Sequence, residues 1–143
     1  MTLRFIGSVD SIIAEEIVSM LGNISKEVFS IRLEGVGYFG SSRNLRMLWV
    51  GAQQCQALLS LHGSIQTWLL RAGIMLDRRK FIPHITIARL RNPSRARLRK
   101  FFESTSLFRT QLFKVDCFHL YSSHQSRKGS VCRIEETYNL NSP

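Results

Sequence analysis

The stretch that decides the fold is Pro83-His84-Ile85-Thr86-Ile87-Ala88-Arg89. Pro83 marks a turn, and after it apolar Ile85 and Ile87 alternate with His84, Thr86 and Ala88. Period two is the pattern of a strand, so the imidazole and the hydroxyl share one face, one above the other. A titratable ring beside a hydroxyl donor, backed by a cation at Arg89, suits proton transfer at a phosphate and stabilisation of its charge. A single histidine in a strand serves structure as readily as chemistry, so the rest of the chain has to decide.

Charge is lopsided around this strand. The chain has 143 residues and a net charge of +10. Twelve basic residues fall between Arg71 and Lys114, against Asp77 and Glu103 alone, while the remainder of the chain balances. The excess therefore brackets His84 on both sides. Two readings fit: a field that concentrates nucleic acid or phosphorylated ligands, or a solvated basic helix that serves solubility. The length suits one domain, 1–143, with a real core. No apolar run approaches membrane-spanning length and no basic-then-apolar leader is present, so no membrane association is expected. Cys55, Cys117 and Cys132 are odd in number and scattered, with no Cys-x-x-Cys. They read as free thiols in a reducing, cytoplasmic setting, with no zinc site.

In chain order, Thr2 to Gly7 reads as a strand stopped by glycine. Asp10 caps a helix whose Ile13, Ile17, Met20 and Leu21 share a face, ended by Gly22-Asn23. Phe29 to Phe39 alternates as a strand, Gly40 to Asn44 turns, and Leu45 to Val50 returns as the second strand of a hairpin. Gln53 to Ala72 is a helix by the spacing of Leu58, Leu61, Ile65, Trp68 and Leu69, closed by Gly73, with His62 structural beside its apolar face. A connector, Asp77-Arg78-Arg79-Lys80, leads to the His84 strand. Asn92-Pro93 opens a basic helix through Phe102. Val115 to Ser122 is a strand, Ser123 to Ser130 a loop, and Val131 to Leu140 closes a second hairpin. The chain thus repeats strand, helix, strand, turn, strand, from Thr2 to Val50 and from His84 to Leu140. The expected fold is α+β: two pseudo-symmetric lobes, each an antiparallel sheet with helices outside, facing across a central cleft. Lobe one is 1–52, the linking helix 53–73 and lobe two 77–143.

These residues resemble the 2H phosphoesterases, in the branch of bacterial 2′-5′ RNA ligases and RNA 2′,3′-cyclic phosphodiesterases. That family carries two His-x-Thr motifs, and Pro83, His84, Thr86 and Arg89 match the second in full. Thr2-Leu3-Arg4-Phe5-Ile6-Gly7 matches the first from its threonine onward, with Met1 at the variable position, so that the first histidine would immediately precede Met1. Leu45 to Gly51 and Phe118 to Ser123 also look like their family counterparts. The resemblance implies a member lacking the family's N-terminal strand and helix.

It further implies a metal-independent, cofactor-free opening of a 2′,3′-cyclic phosphate to a 2′-phosphate, with the reverse reaction forming a 2′-5′ linkage. His84 is then an acid or base, Thr2 and Thr86 donate to phosphate, Arg89 neutralises it and Phe5 stacks on a base. The partner is RNA or a nucleotide with a cyclic-phosphate end, the protein is a monomer, and one missing histidine predicts impaired turnover. In an ideal strand Arg89 and Phe5 face away from the threonines, so each needs a strand end, a twist or a bulge to join them; otherwise Arg89 is a surface cation and Phe5 a core residue. His119 and His124 are weaker substitutes for the first histidine, one in a strand without a threonine at the required spacing and one in a loop. The rival reading is a non-catalytic RNA- or nucleotide-binding module, and a third is a nonfunctional fragment that exposes apolar surface.

Overall fold

The computed structural model describes residues 1–41, 44–77, 79–127 and 129–142. In order, its elements are α1 (Ser11–Leu21), β1 (Phe29–Ile31), β2 (Leu33–Ser41), β3 (Asn44–Ala52), α2 (Gln56–Arg71), β4 (His84–Arg89), α3 (Arg95–Thr105), β5 (Phe113–Val115), β6 (Cys117–Ser126) and β7 (Gly129–Asn139). The architecture is α+β, with an antiparallel β2-β3-β4 sheet, an antiparallel β6-β7 hairpin and a short β1-β5 ribbon. Two compact units form, and they interleave in sequence: Met1–Leu3, Ser30–Cys55 and Arg78–Phe113 in the first, Arg4–Phe29, Gln56–Asp77 and Lys114–Pro143 in the second.

The first unit is built on β3, which lies between β2 and β4. Residues directly opposite in an antiparallel pair point to the same side, so the register sorts the side chains into two faces. Val36, Tyr38, Leu48, Val50, Ile85 and Ala88 form the rear face, where Leu48 and Val50 are buried. α3 packs there through Phe102, edge-on to Tyr38 with ring centroids 5.9 Å apart, and buries Leu98. Gly37, Phe39, Met47, Trp49, Gly51, His84, Thr86 and Arg89 form the front face. Trp49 lies flat across it: a Cβ at Gly37 would fall inside its benzo ring, and one at Gly51 would sit 2.8 Å from the Glu34 carbonyl oxygen.

The second unit joins α1, α2 and the β6-β7 hairpin. Asp10 caps α1 by accepting the Ile13 N–H at 2.9 Å, a bond whose loss costs roughly 1 kcal/mol. Ile17 and Leu21 of α1 and Leu58, Leu61, Ile65 and Leu69 of α2 are buried, each contributing about 1.5–3 kcal/mol. The hairpin supplies Phe118 and Tyr138, directly opposite and stacked at 4.8 Å, and the Tyr138 hydroxyl donates to the Val18 carbonyl of α1 at 3.1 Å.

Several expectations need correction. The lobes are not 1–52 and 77–143, because β4 completes the sheet of β2 and β3 while α1 packs with the β6-β7 hairpin. Repeated element order specifies local structure; which strand pairs with which is decided by tertiary burial, and here the hairpins are exchanged between copies. The helix 53–73 is not a mere link, since α2 supplies much of the second unit's core. Thr2 to Gly7 forms no strand: alternation shows readiness to pair, and this segment makes no ladder.

The basic helix starts later than Asn92-Pro93. Asn92 takes a left-handed turn at φ 46°, and Ser94 caps α3 by accepting from the Arg97 N–H. The loop 123–130 is instead the end of a hairpin, held by Ser123 Oγ and Ser130 Oγ at 2.5 Å and by Ser126 Oγ donating to the Gly129 carbonyl at 2.7 Å. Serine and glutamine, common in loops, also fit an exposed ribbon whose backbone is already paired. Ser42 and Arg43 of the expected turn, Arg78 of the connector and Lys128 of the expected loop lie outside the described residues.

Gly37→Ala is expected to destabilise the protein by about 1–3 kcal/mol in urea unfolding, because the added methyl displaces the Trp49 ring. The same change in a Trp49→Leu background should cost measurably less.

Candidate active site

The front face of β4 answers the parity problem posed by its sequence. Thr86 is opposite Trp49 and Ala88 opposite Leu48, so Ile87 has no partner and the strand carries a bulge. Past the bulge the alternation resets, and Arg89 comes opposite Met47. Gly51, Trp49 and Met47 are of one parity on β3, so their partners His84, Thr86 and Arg89 stand on one side of the sheet. The bulge accounts for Ile87 being half exposed in a strand that reads as alternating.

His84 is set by its neighbours. Its ring stands edge-on to Phe39 at 4.9 Å and tilted to Trp49 at 6.0 Å. Its Nδ1–H donates to the Ile82 carbonyl at 2.6 Å. A carbonyl only accepts, so that contact holds the proton on Nδ1 and leaves Nε2 as the nitrogen that exchanges protons with a ligand. The turn before it is anchored too: Pro83 is buried, and its carbonyl accepts from Ala52 N–H at 2.9 Å. Among the described residues, the Thr86 hydroxyl and the Arg89 guanidinium have no hydrogen-bond or ion-pair partner, and both residues are exposed. A hydroxyl donor, a cation and a fixed imidazole thus share one open surface, the set an anion undergoing proton transfer requires.

The other expected site residues lie elsewhere. Thr2 belongs to the same unit as His84, but it is exposed, outside any strand, and no hydrogen bond links it to the front face. Phe5 belongs to the second unit and is 82% exposed, so it is not the core residue considered as its alternative. His62, His119 and His124 are all in the second unit. His124 lies in β6 rather than in a loop.

His119 does have a threonine beside it, on the neighbouring strand: Thr137 is directly opposite, and its hydroxyl hydrogen-bonds His119 Nδ1 at 2.9 Å. Spacing along one strand gave no sign of this cross-strand pair. Cys117 Sγ lies 3.7 Å from His119 Nε2, but burial and then Asp116 push the thiol's pKa up, so the pair is not an activated nucleophile. All three cysteines are free, as expected. Among the described residues no cluster of histidine, cysteine and carboxylate side chains forms a metal site, and no helix is long and apolar enough to cross a membrane.

Comparison with known proteins places this geometry in context. Residues 1–127 match the family model described as the 2′-5′ RNA ligase superfamily. The chain is 29% identical to an RNA 2′,3′-cyclic phosphodiesterase of Aquifex aeolicus, over 98% of this chain and 77% of that protein. It is 30% identical to the protein of the same name from Thermotoga maritima, over 94% of this chain and 71% of the relative. The structure of E. coli LigT complexed with 3′-AMP superposes with a TM-score of 0.76 at 25% identity, covering 97% of this chain and 75% of LigT.

The structural reading of His62 has a pH signature. Burial first, and the nearby Arg4 guanidinium second, lower its pKa from the ordinary 6.5. Between that ordinary value and the lower folded one, the unfolded chain binds a proton that the native state refuses, so stability falls as pH drops through this range. The melting temperature should therefore decline on acidification below about pH 6.5, and a His62→Gln variant should show a shallower decline.

Proposed function

The chain belongs to the 2′-5′ RNA ligase superfamily, and from that premise we propose that it acts on RNA ending in a 2′,3′-cyclic phosphate, opening it to a 2′-phosphate without metal or cofactor. The observation that carries this reading is the bulge in β4, which sets His84, Thr86 and Arg89 on one face with the hydroxyl and the guanidinium unengaged. The relatives' name and the nucleotide bound to LigT support it.

In the proposed step, water attacks phosphorus in line while the bond to the ribose 3′ oxygen breaks, and the 2′ ester is retained. One group takes the proton from water, and another returns a proton to the departing oxygen. His84 fills one of these roles through Nε2, its Nδ1–H being committed to Ile82. Thr86 donates to a non-bridging oxygen, Arg89 balances the charge that grows there, and Thr2 is the second hydroxyl donor by its motif. The reverse reaction joins RNA ends through a 2′-5′ linkage.

His84 is the imidazole that the first unit supplies, which supports it as one of the two proton-transfer groups. Where only one of two such groups is present the cost is on the order of 10²–10⁴ in rate, and a polypeptide of residues 1–143 assayed by itself is proposed to bind its substrate and turn it over slowly. The free thiols support a reducing, cytoplasmic setting, and the working form is a monomer.

The test compares cyclic-phosphate hydrolysis and binding by this chain, by His84→Ala, by Thr86→Val, and by a form extended at its N-terminus with a histidine-bearing strand. The expected result is a gain for the extended form, removed by His84→Ala by about 10²–10⁴, with Thr86→Val weakening affinity for the cyclic-phosphate end. Equal hydrolysis by all four would overturn the enzymatic reading. Salt-dependent RNA binding indifferent to the terminal phosphate would favour a binding module instead.

A further inference from the structure

Where β4 ends, the first unit has a feature that hydrolysis of a small cyclic nucleotide does not use. Arg46, Met47, Arg89, Leu90, Arg91 and Asn92 line one open hollow. Three of the six are arginines and none is acidic. Among the described residues the guanidinium groups of Arg46, Arg89 and Arg91 have neither an ion pair nor a hydrogen bond, whereas Arg99 and Arg109 of the same unit are paired with Glu103 and Glu34. Arginines that line one hollow with no acidic residue among them favour an anion placed there.

The backbone holds this arrangement in place. The Leu90 N–H donates to the Arg46 carbonyl at 2.8 Å, which carries the β3-β4 ladder one residue beyond Arg89. Asn92 then turns in the left-handed region at φ 46° before Pro93. Arg91 is thus fixed between the last rung and the turn. At about 3.3 Å per residue, it stands roughly 15 Å along the strand from Thr86, too far to share the phosphate that Thr86 and His84 would hold. Arg89 lies between, on the front face and at the rim of the hollow.

We propose that Arg46 and Arg91 form a second phosphate subsite, which takes an internucleotide phosphate of an RNA strand whose cyclic end lies at His84 and Thr86. This rests on the function proposed above and adds that the site selects oligonucleotides over mononucleotides. Arg89 is the shared boundary between the two positions. A mononucleotide offers its single phosphate to His84 and Thr86 and leaves Arg46 and Arg91 unused. A strand engages both positions, and each added phosphate contact steepens the salt dependence of binding by about 0.7 in log–log slope.

The probes are a 5′-labelled tetraribonucleotide with a 2′,3′-cyclic phosphate end, followed by fluorescence anisotropy, and a 2′,3′-cyclic mononucleotide as competitor. Arg46→Ala/Arg91→Ala is expected to weaken the tetranucleotide about tenfold or more and to flatten its salt slope by about 0.7, with mononucleotide affinity unchanged. The Arg46→Lys/Arg91→Lys variant should recover part of the loss. Arg97→Ala/Lys100→Ala removes equal charge from α3 and should do little. No weakening of the tetranucleotide, equal weakening of both ligands, or an equal loss from the α3 pair would each overturn the subsite. Thermal melting of the variants checks that they fold.

A tetranucleotide with a plain 2′,3′-diol end separates the two readings. If it binds as well as the cyclic form, the function proposed for His84 fails, while the dependence on Arg46 and Arg91 is still read directly.

Discussion

One unpaired residue, Ile87, decides what the surface of β4 can do. Were Ile87 paired like its neighbours, β4 would alternate strictly and send Arg89 to the rear face, among Leu48, Val50 and the residues of α3. With the bulge, three β4 residues of mixed parity face partners of one parity on β3. The front face depends on the same register. Trp49 must lie flat to support the His84 ring, and it does so because Gly37 offers no side chain beneath it. The tilt of the imidazole, the aim of its Nε2 and the position of the arginine all follow from how β3 and β4 are aligned.

The electrostatics of this unit have two components. Arg95, Arg97, Arg99 and Lys100 are exposed on α3, which packs behind the sheet on the side opposite His84. They contribute a broad positive potential that speeds the encounter with a polyanion and is screened over about 8 Å at physiological salt. Arg89 on the front face, with Arg46 and Arg91 lining the hollow where β4 ends, acts at contact distance, where geometry matters more than net charge. The basic excess seen between Arg71 and Lys114 is therefore not one patch around the histidine. Arg95, Arg97, Arg99 and Lys100 of that excess form a steering field behind the sheet, and Arg89 and Arg91 of it stand without partners among the described residues beside the candidate site.

Local features of the fold were legible in the sequence. Helical spacing marked the buried face of α2, Asp10 marked the start of α1, and the alternation at Pro83 marked the strand that bears the candidate site. The two hairpins were legible as well, but pairing between distant segments was not. Nothing in the order of residues says that β4 joins β2 and β3, or that α1 sits against Tyr138, because those choices are made by burial between distant segments. The bulge at Ile87 was anticipated only as one way for Arg89 to reach its neighbours. The His119–Thr137 contact was invisible because it crosses between strands. Asn92-Pro93 misplaced a helix start by two residues, since asparagine serves a left-handed turn as well as a cap, and Ser94 was there to cap instead.

The interleaving of the two units bears on how the chain comes to be folded. The sheet of the first unit needs β4, some fifty residues after its own hairpin begins, and the second unit joins α1 to a hairpin more than ninety residues downstream. Closing such distant segments is entropically slow, so contact order here is high for so small a protein. A nascent chain leaving the ribosome would carry β2 and β3 as an open-edged hairpin until β4 emerged, and α1 without its hairpin partner until β6 and β7 emerged. Neither unit is a fragment that translation can finish early, and premature release would leave unpaired strand edges prone to aggregation.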